Sequence, residues 1–410
     1  MSLRILHVLQ PAETDAGRSI EDVCGLSVLQ KEFGHSVEFL TIGKARSARL
    51  EELGAPIHKV RGRWGRYGYS PEMVRWIRGN AARFHCIVVH GVWDFCGLGT
   101  WLALRKAGIP YFIIPHGTLD PWFKLSHPVR HMLRWLYWLW GGYPILRDAH
   151  AVFFLCEEER QRARQAFWLY DCHEFVVRPG SWELETAVRG GSARAFLEAY
   201  PSLRGKKLVA LVADPDSLDG LRTVAGSVAL LRERGSWDGT TTQLLVLDPT
   251  RGGARAAVDA IVRDRGLSGC VTAIYGQSSS EISDALAASA ALIRPADFEI
   301  CSRRPALALA CGTPVISSTG VMHWREIADE AAGLVAENSA SGYARMLAAM
   351  LASSDEEAAV MRTSARRCFE GNFAPAAAAH SLSSAIYLFV GIHRDARWNS
   401  RPLRPASELQ

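Results

Sequence analysis

The chain has 410 residues, of which 48% are hydrophobic and 22% are charged, and its formal net charge is +5. This length allows two domains with separate cores, and the composition excludes a disordered chain. The charge weakly favours anionic partners and is far too small for a nucleic-acid-binding protein.

The nine cysteines form no C-x-x-C pair, and no histidine spacing is typical of a zinc site. We therefore expect reduced thiols in a cytosolic protein, with neither a disulfide framework nor a structural metal.

The first half of the chain alternates short apolar runs with helical patterns. The first run, 3–9, is too short and too interrupted for a secretory signal, so it predicts a buried strand. A loop at 16–19, a helix over about 20–33 and a second strand follow. Strands are predicted at 3–9, 34–40, 86–90, 111–114 and 151–154. This order favours a doubly wound sheet, in which ligands bind at the carboxyl ends of the strands. His90 and His116 stand at two of those ends.

The second half repeats the alternation, with strands predicted at 207–212, 243–247, 271–275, 291–293 and 314–316. The fold class is therefore α/β, with two Rossmann-like doubly wound parallel-sheet domains. We place the N-terminal domain at 1–178 and the C-terminal domain at 179–375. A C-terminal helix is expected at 376–397, and 398–410 are expected to form a loose tail.

One segment carries a family resemblance. Residues 294–316 read RPADFEICSRRPALALACGTPVI. They resemble the motif P-S-x-x-E-G-F-G-L-x-x-L-E-A-M-A-C-G-T-P-V of the retaining family 4 glycosyltransferases (glycosyl transferases group 1), with Pro295, Glu299 and 311–315 in register. The resemblance implies the GT-B fold, in which an N-terminal, acceptor-side domain and a C-terminal, donor-side domain face an interdomain cleft. It also implies that the helix at 376–397 returns to the first domain. The implied substrate is a nucleotide diphosphate sugar, with no cofactor and no required metal.

The same resemblance assigns roles to the donor-side residues. Glu299 is expected to hold sugar hydroxyls, and the backbone at Ile300 and Cys301 to approach the diphosphate, although glycines of the family motif are replaced here by Ile300 and Ser302. Arg303 and Arg304 follow directly. The family's second Glu is Leu307 in this chain, which cannot accept hydrogen bonds from the nucleotide ribose.

A second departure lies at the start of the donor-side domain. In the alignment implied by the resemblance, Asp214 stands where Arg is expected and Asp219 where Lys is expected. A unit-charge pair about 4 Å apart is worth roughly 1 kcal/mol in water and about 4 kcal/mol near a protein surface, so reversing two signs weakens a diphosphate site. Four explanations stay open: compensation by Arg222, Arg294, Arg303 or Arg304, a bridging divalent cation, an alignment shifted by several residues, or loss of donor binding.

The first domain supplies further candidates. Residues 115–122, PHGTLDPW, are similar to a family motif that places a histidine at the reacting sugar, so His116 is a candidate catalytic residue; its alternative role is to satisfy turn amides. The resemblance also places His90, Trp93 and Asp120 in the acceptor-side cleft. It implies that the backbone of the 16–19 loop, including Gly17, contacts donor phosphate, with Arg18 as a nearby cation.

Residues 121–147 interleave aromatic and basic side chains, among them Arg134, Trp135 and Trp138. This pattern suits contact with an anionic membrane surface, and burial of the rings against the sheet is the alternative. The segment is too short and too basic to span a membrane.

These observations predict a hexosyltransferase-type glycosyltransferase. It would move a sugar, with retention, to a glycan or polyprenyl-linked acceptor in bacterial exopolysaccharide or cell-envelope glycan synthesis. We expect a cytoplasmic enzyme at the inner face of the cytoplasmic membrane, with no nucleic-acid partner. The alternative is a catalytically degenerate GT-B protein that binds glycan or serves as a scaffold for an active transferase. Leu307, Asp214 and Asp219 favour that alternative, whereas His116 and Glu299 favour the enzyme.

Overall fold

The computed structural model describes residues 2–10, 23, 27, 30–31, 33–43, 54–122, 124, 128–180, 191–213, 218–249, 253, 255–299 and 303–395. The predicted roles of Gly17, Arg18, Asp214, Ile300 and Cys301 fall outside these residues, as does the predicted tail.

The chain forms two compact units, and the first is discontinuous in sequence. The first unit comprises Met1–Gly180 and Pro375–Gln410, and the second comprises Ser181–Ala374.

Both units are built on parallel sheets with the predicted doubly wound order. The seven-stranded sheet of the first unit has the order β3-β2-β1-β4-β5-β6-β7, and the six-stranded sheet of the second unit has the order β10-β9-β8-β11-β12-β13. In each sheet the order reverses beside the first strand, which creates the crevice where doubly wound sheets bind ligands. The strands are β1 Arg4–Leu9, β2 Ser36–Ile42, β3 Ile57–Val60, β4 Cys86–His90, β5 Tyr111–Ile114, β6 Ala151–Phe154, β7 Glu174–Val176, β8 Lys207–Val212, β9 Thr242–Asp248, β10 Val271–Tyr275, β11 Ala291–Arg294, β12 Val315–Ser318 and β13 Gly333–Ala336.

Helices connect these strands and cover the sheets. Among the described residues these helices are α1 Pro71–Asn80, α2 Phe95–Leu104, α3 Pro128–Tyr137, α4 Tyr143–Arg147, α5 Glu157–Ala166, α6 Ala193–Ala199, α7 Leu218–Glu233, α8 Arg255–Asp264, α9 Ser279–Ala287, α10 Arg303–Ala310, α11 Trp324–Asp329, α12 Ala340–Ala352, α13 Asp355–Cys368 and α14 Pro375–Asp395. Val23, Ser27, Gln30 and Lys31 are also helical.

The first sheet is covered by different elements on its two faces, because successive side chains of a strand point to opposite sides. Leu6 and Val8 of β1 pack in a core with residues of α1 and α2. Leu3 and Ile5 lie on the other face, where they pack with Leu382 and other residues of α14. The last helix therefore completes the core of the first unit.

The second sheet has a core on each face as well. Leu208 and Ala210 of β8 pack with residues of α9 and α10, whereas Val209 and Leu211 pack with residues of α7 and α12. Among the described residues, one helical stretch, 355–391, is long and apolar enough to cross a membrane by those measures alone, and half of its most apolar window is buried inside the protein.

Candidate functional site

The backbone at His116 has a conformation that residues other than glycine rarely adopt. His116 follows β5 after one proline, and its φ is 54°; the next residue, Gly117, has φ 71°. A left-handed backbone at a residue with a bulky side chain is uncommon, and such residues concentrate at functional sites. Surrounding contacts must hold it in place.

Glu159 of α5 supplies the main contacts to this turn. One carboxylate oxygen accepts the Gly117 amide at 2.5 Å, and the other accepts the Leu155 amide at 2.6 Å. The carboxylate is buried, and burial raises the pKa of Glu159 to about 7, against the opposing effect of the two amide donors. A single buried acceptor thus ties the turn after β5 to the end of β6. Nothing in the run of three Glu residues at 157–159 marks this role in the sequence.

Two of the predicted acceptor-side residues bond to the same loop. The indole nitrogen of Trp93 donates to the carbonyl oxygen of Thr118 at 3.1 Å. The buried carboxylate of Asp120 accepts the Trp122 amide at 2.7 Å and pairs with Arg162 at 3.4 Å. In this structure both side chains therefore hold the His116 loop.

His90, the third acceptor-side candidate, lies in the middle of a chain of imidazoles. Its Nδ1 is 3.0 Å from Nε2 of His116, and its Nε2 is 2.9 Å from Nδ1 of His7. Nε2 of His7 is in turn 3.0 Å from Oε1 of Gln30. Burial lowers the pKa of His7 and of His116 to about 4 and that of His90 well below its usual value, so the three rings are neutral at pH 7. His7 is detectable in the sequence as a polar residue inside the apolar run ILHVL of β1.

A pocket of about 50 Å³ opens beside His90 and His116. His90 and His116 line it together with Arg178 and apolar side chains that include Ile114 and Leu382. Two imidazoles and a guanidinium therefore border this mostly apolar space in the first unit. Across the described residues no group of three or more His, Cys, Asp or Glu side chains could hold a metal ion, and the three histidines bond to one another instead.

In the second unit, Glu299 lies at the carboxyl end of β11. Its amide donates to the Gly320 carbonyl oxygen at 3.0 Å, and its carboxylate pairs with Nε of Arg294 at 3.1 Å. Both side chains of the ion pair are largely buried. The predicted donor-side carboxylate thus has a cation as its neighbour.

The start of α7 approaches the same strand end. A Cβ atom on Gly220 would lie 2.8 Å from the ring of Pro295, so only glycine allows this approach without a shift. Asp219 beside it is fully exposed and pairs with Arg222, three residues along the helix, at 3.0 Å. The start of α7 therefore lies beside the residue that follows β11.

The remaining predicted residues lie on α10. Arg303 and Arg304 begin this helix and are partly buried. Leu307 is 4% exposed and belongs to the core between the sheet and α9. A carboxylate at that position would stand in an apolar environment, which explains why the local sequence, PALALA, is uniformly small and apolar.

The structure brings His90 and His116 into direct contact and places Trp93 and Asp120 around them. The remaining predicted residues lie in the second unit: Asp219, Arg222, Glu299, Arg303, Arg304 and Leu307. Sequence reasoning missed Gln30, His7, Glu159 and Arg162.

Comparisons with known proteins agree with this architecture. Residues 22–180 match the family model described as a glycosyl transferase 4-like domain. No curated protein sequence matches the chain.

Solved structures match nearly the whole chain. A sucrose-phosphate synthase from Thermosynechococcus elongatus is 17% identical with a TM-score of 0.67, and the match covers 96% of this chain and all of that one. A glycosyltransferase from Rickettsia africae is 12% identical with a TM-score of 0.70, covering 95% of this chain and 99% of that one. HepE of Anabaena, in complex with UDP and glucose, is 13% identical with a TM-score of 0.65, covering 94% of this chain and all of that one. The chain therefore has the GT-B fold, and its predicted resemblance to the group 1 glycosyltransferases is confirmed.

Proposed function

We propose that this protein is a retaining glycosyltransferase that moves a hexose from a nucleotide diphosphate sugar to a glycan or polyprenyl-linked acceptor. The observation that carries the proposal is the strained His116 turn, held at the carboxyl end of β5 by the buried Glu159. A left-handed backbone at a histidine costs free energy, and residues strained in this way concentrate at functional sites. This turn also lies at the carboxyl edge of the sheet, where doubly wound folds bind ligands.

A nucleotide diphosphate sugar as donor is supported by the structure of HepE, a protein of similar fold, which contains UDP and glucose. Glu299, at the equivalent edge of the second sheet, is our proposed ligand for the sugar hydroxyls, and its pairing with Arg294 would orient the carboxylate. Arg222, Arg303 and Arg304 are the proposed cations for the diphosphate, and no cofactor is required. Synthesis of bacterial exopolysaccharide or cell-envelope glycan is the proposed pathway.

The second candidate is a degenerate GT-B protein that binds glycan or acts as a scaffold. Two observations favour it: Leu307 lies in the core, so it supplies no carboxylate to a ribose, and Arg222 already pairs with Asp219. Both weaken nucleotide binding relative to the family pattern.

Calorimetric titration separates the two candidates. The protein is titrated with UDP, GDP, ADP and dTDP and with their glucose conjugates, and release of the nucleotide diphosphate is then followed with a lipid extract of the native host as acceptor. The enzyme predicts micromolar binding of at least one donor and a turnover that His116→Gln and Glu299→Gln abolish while circular dichroism stays unchanged. If no nucleotide diphosphate and no glucose conjugate in the panel binds, the enzyme proposal is overturned in favour of the scaffold.

The acceptor-side unit also carries an exposed apolar face. Six side chains on α3 and the turn that follows it are 41–68% exposed: Val129, Met132, Leu133, Leu136, Leu139 and Trp140. Their spacing places them along one side of a helix, and proteins that stay in water rarely expose so many apolar side chains together.

We assign this face to the surface of an anionic membrane, where a polyprenyl-linked acceptor would be presented at the inner face of the cytoplasmic membrane. The face differs from the one that the aromatic residues suggested, because Trp138 is buried and Arg134 lies over the ring of Trp93. The Trp and Arg residues at 134, 135 and 138 are therefore poor choices for a membrane test.

Sedimentation with phosphatidylcholine vesicles, with and without phosphatidylglycerol, tests this assignment. Met132→Ser, Leu133→Ser and Leu136→Ser together should reduce the bound fraction, and added salt should reduce the phosphatidylglycerol-dependent part. Val360→Ser is the control, because Val360 is an equally exposed apolar residue on a helix of the second unit. Equal sedimentation of the triple variant and the wild type would exclude this face as the membrane contact.

A further inference from the structure

The three histidines form a hydrogen-bonded chain that ends at a side-chain amide. It runs from His116 through His90 and His7 to Oε1 of Gln30, with heavy-atom distances of 3.0, 2.9 and 3.0 Å. His7, His90 and Gln30 are buried. Water therefore has little access to this inner part, where the imidazole nitrogens and Oε1 of Gln30 bond to one another.

Such a chain has a direction. A neutral imidazole carries one N–H and one lone pair, so each ring that donates at one nitrogen must accept at the other. If any ring in the series donates towards Gln30, all of them do. The direction is therefore decided by the group at the buried end.

The side-chain amide of Gln30 decides the direction of these hydrogen bonds in this structure. Its Oε1 can only accept, so Nε2 of His7 carries the proton, and Nδ1 of His7 accepts from Nε2 of His90. Nδ1 of His90 then accepts from Nε2 of His116. A neutral imidazole has only one N–H, and that of His116 is at Nε2. The other ring nitrogen, Nδ1, therefore carries no proton and takes no part in the hydrogen-bonded series.

We infer that Gln30 and His7 are positioning residues that act through His90 to keep Nδ1 of His116 unprotonated, so that it accepts a hydrogen bond from a sugar hydroxyl and rejects a phosphate oxygen. The choice of ligand group follows from polarity: a hydroxyl can donate to a lone pair, whereas an ionised phosphate oxygen can only accept. The choice of a sugar as ligand rests on the proposed function, while the tautomer does not.

The first test reads the tautomer directly. Histidine side-chain ¹⁵N NMR of the wild type at pH 7.5, assigned with His116→Gln, should show the shift of an unprotonated nitrogen at Nδ1 and of a protonated nitrogen at Nε2. A protonated Nδ1 on His116 would overturn the inference, whether or not the protein turns over any sugar.

The second test removes the deciding group. Gln30→Met keeps the length of the side chain and removes the acceptor, so His116 should become a mixture of both tautomers with averaged shifts. Ser27→Ala is the matched control one turn away, because the buried Ser27 hydroxyl bonds only to the carbonyl oxygen of Val23 among the contacts that the structure gives for it. An unchanged His116 pattern in Gln30→Met would show that Gln30 does not set the direction.

Calorimetry with UDP and UDP-glucose tests the consequence for ligands. Gln30→Met should weaken UDP-glucose binding by about 3-fold to 10-fold, the value of one hydrogen bond, and leave UDP binding unchanged. Equal weakening of both ligands, or of neither, would contradict the hydroxyl role of His116. If neither ligand binds the wild type, the proposed donor fails, and the NMR result still decides the tautomer.

Discussion

The carboxyl edges of the two sheets use opposite chemistry. In the first unit, neutral imidazoles bond in series, and the buried carboxylate of Glu159 accepts two backbone amides at the His116 turn. In the second unit, charged side chains form ion pairs, as in Arg294–Glu299 and Arg222–Asp219. On our proposal the first edge is preorganised for hydroxyl groups, whereas the second must exchange an internal ion pair for a charged ligand. The weak point of the proposed transferase is therefore donor phosphate binding.

The largest effect is expected at Glu159. Glu159→Ala leaves the buried amides of Gly117 and Leu155 without their acceptor, and hydrogen bonds to charged groups are worth about 1.5–3 kcal/mol each, so the free energy of unfolding should fall by about 4 kcal/mol. Urea unfolding measures the loss. Glu157→Ala on the same helix removes a partly exposed carboxylate that pairs with Arg160 and accepts from Gln161, and it should cost less than about 1 kcal/mol. Equal losses in the two variants would mean that the turn is held by other contacts.

In the second unit, breaking the Arg294–Glu299 pair should cost about 3 kcal/mol in either single variant, because the remaining partner keeps a largely buried charge. The comparison uses Arg294→Met, Glu299→Met and the double variant in urea unfolding. The double variant should be more stable than the sum of the single losses predicts. Strict additivity would show that the two charges are not coupled.

Acid should weaken the first unit through its histidines. Burial lowers the pKa of His7 to about 4 in the folded protein against 6.5 in the unfolded chain, so its contribution is complete above pH 6.5 and is lost as the pH falls towards 4. At pH 5 the loss is about 2 kcal/mol for this residue. Glu159 acts in the opposite sense, since its raised pKa favours the folded state below about pH 7.

Calorimetric unfolding of the wild type and of Glu159→Gln between pH 7.5 and 5 checks these signs. The variant lacks the opposing carboxyl titration, so its transition temperature should fall more steeply on acidification than that of the wild type. An equal fall in the two proteins would mean that Glu159 stays ionised throughout this range.

The smallest effect is expected at Asp219. Asp219→Asn removes an exposed charge near the start of α7 and frees Arg222, so affinity for UDP should rise, by less than about 5-fold because solvent screens the site. Asp355→Asn, at the start of α13 in the same unit, is the control and should leave UDP affinity unchanged. A rise in both variants would reflect net charge alone.

Much of the fold could be predicted from the sequence because central parallel strands are continuous apolar runs. The internal strands β4, β5, β6 and β8 have the bounds that were predicted, and so does β10, an edge strand with a continuous run of β-branched and apolar residues. The unpredicted strands are β3, β7 and β13, which all lie at sheet edges. An edge strand has one neighbour and tolerates polar residues, such as His58 and Lys59 in β3, so its apolar pattern is weak.

The site was less predictable, for a physical reason. A motif selects residues by their resemblance to ligand-contacting positions of a family, and His116 and Glu299 were predicted in that way. Gln30, His7 and Glu159 act on other protein groups, and their partners are distant in the sequence, so only the assembled sheet shows what they do.

The discontinuity of the first unit has a consequence for synthesis on the ribosome. Residues 1–180 emerge first, but the sheet face bearing Leu3, Ile5 and Val88 is covered by α14, which is translated last. Throughout the translation of the 194 residues of Ser181–Ala374, this apolar face lacks its native cover. During this interval the nascent protein presents an apolar surface that a chaperone can bind. A chain that terminates before Pro375 keeps this surface uncovered.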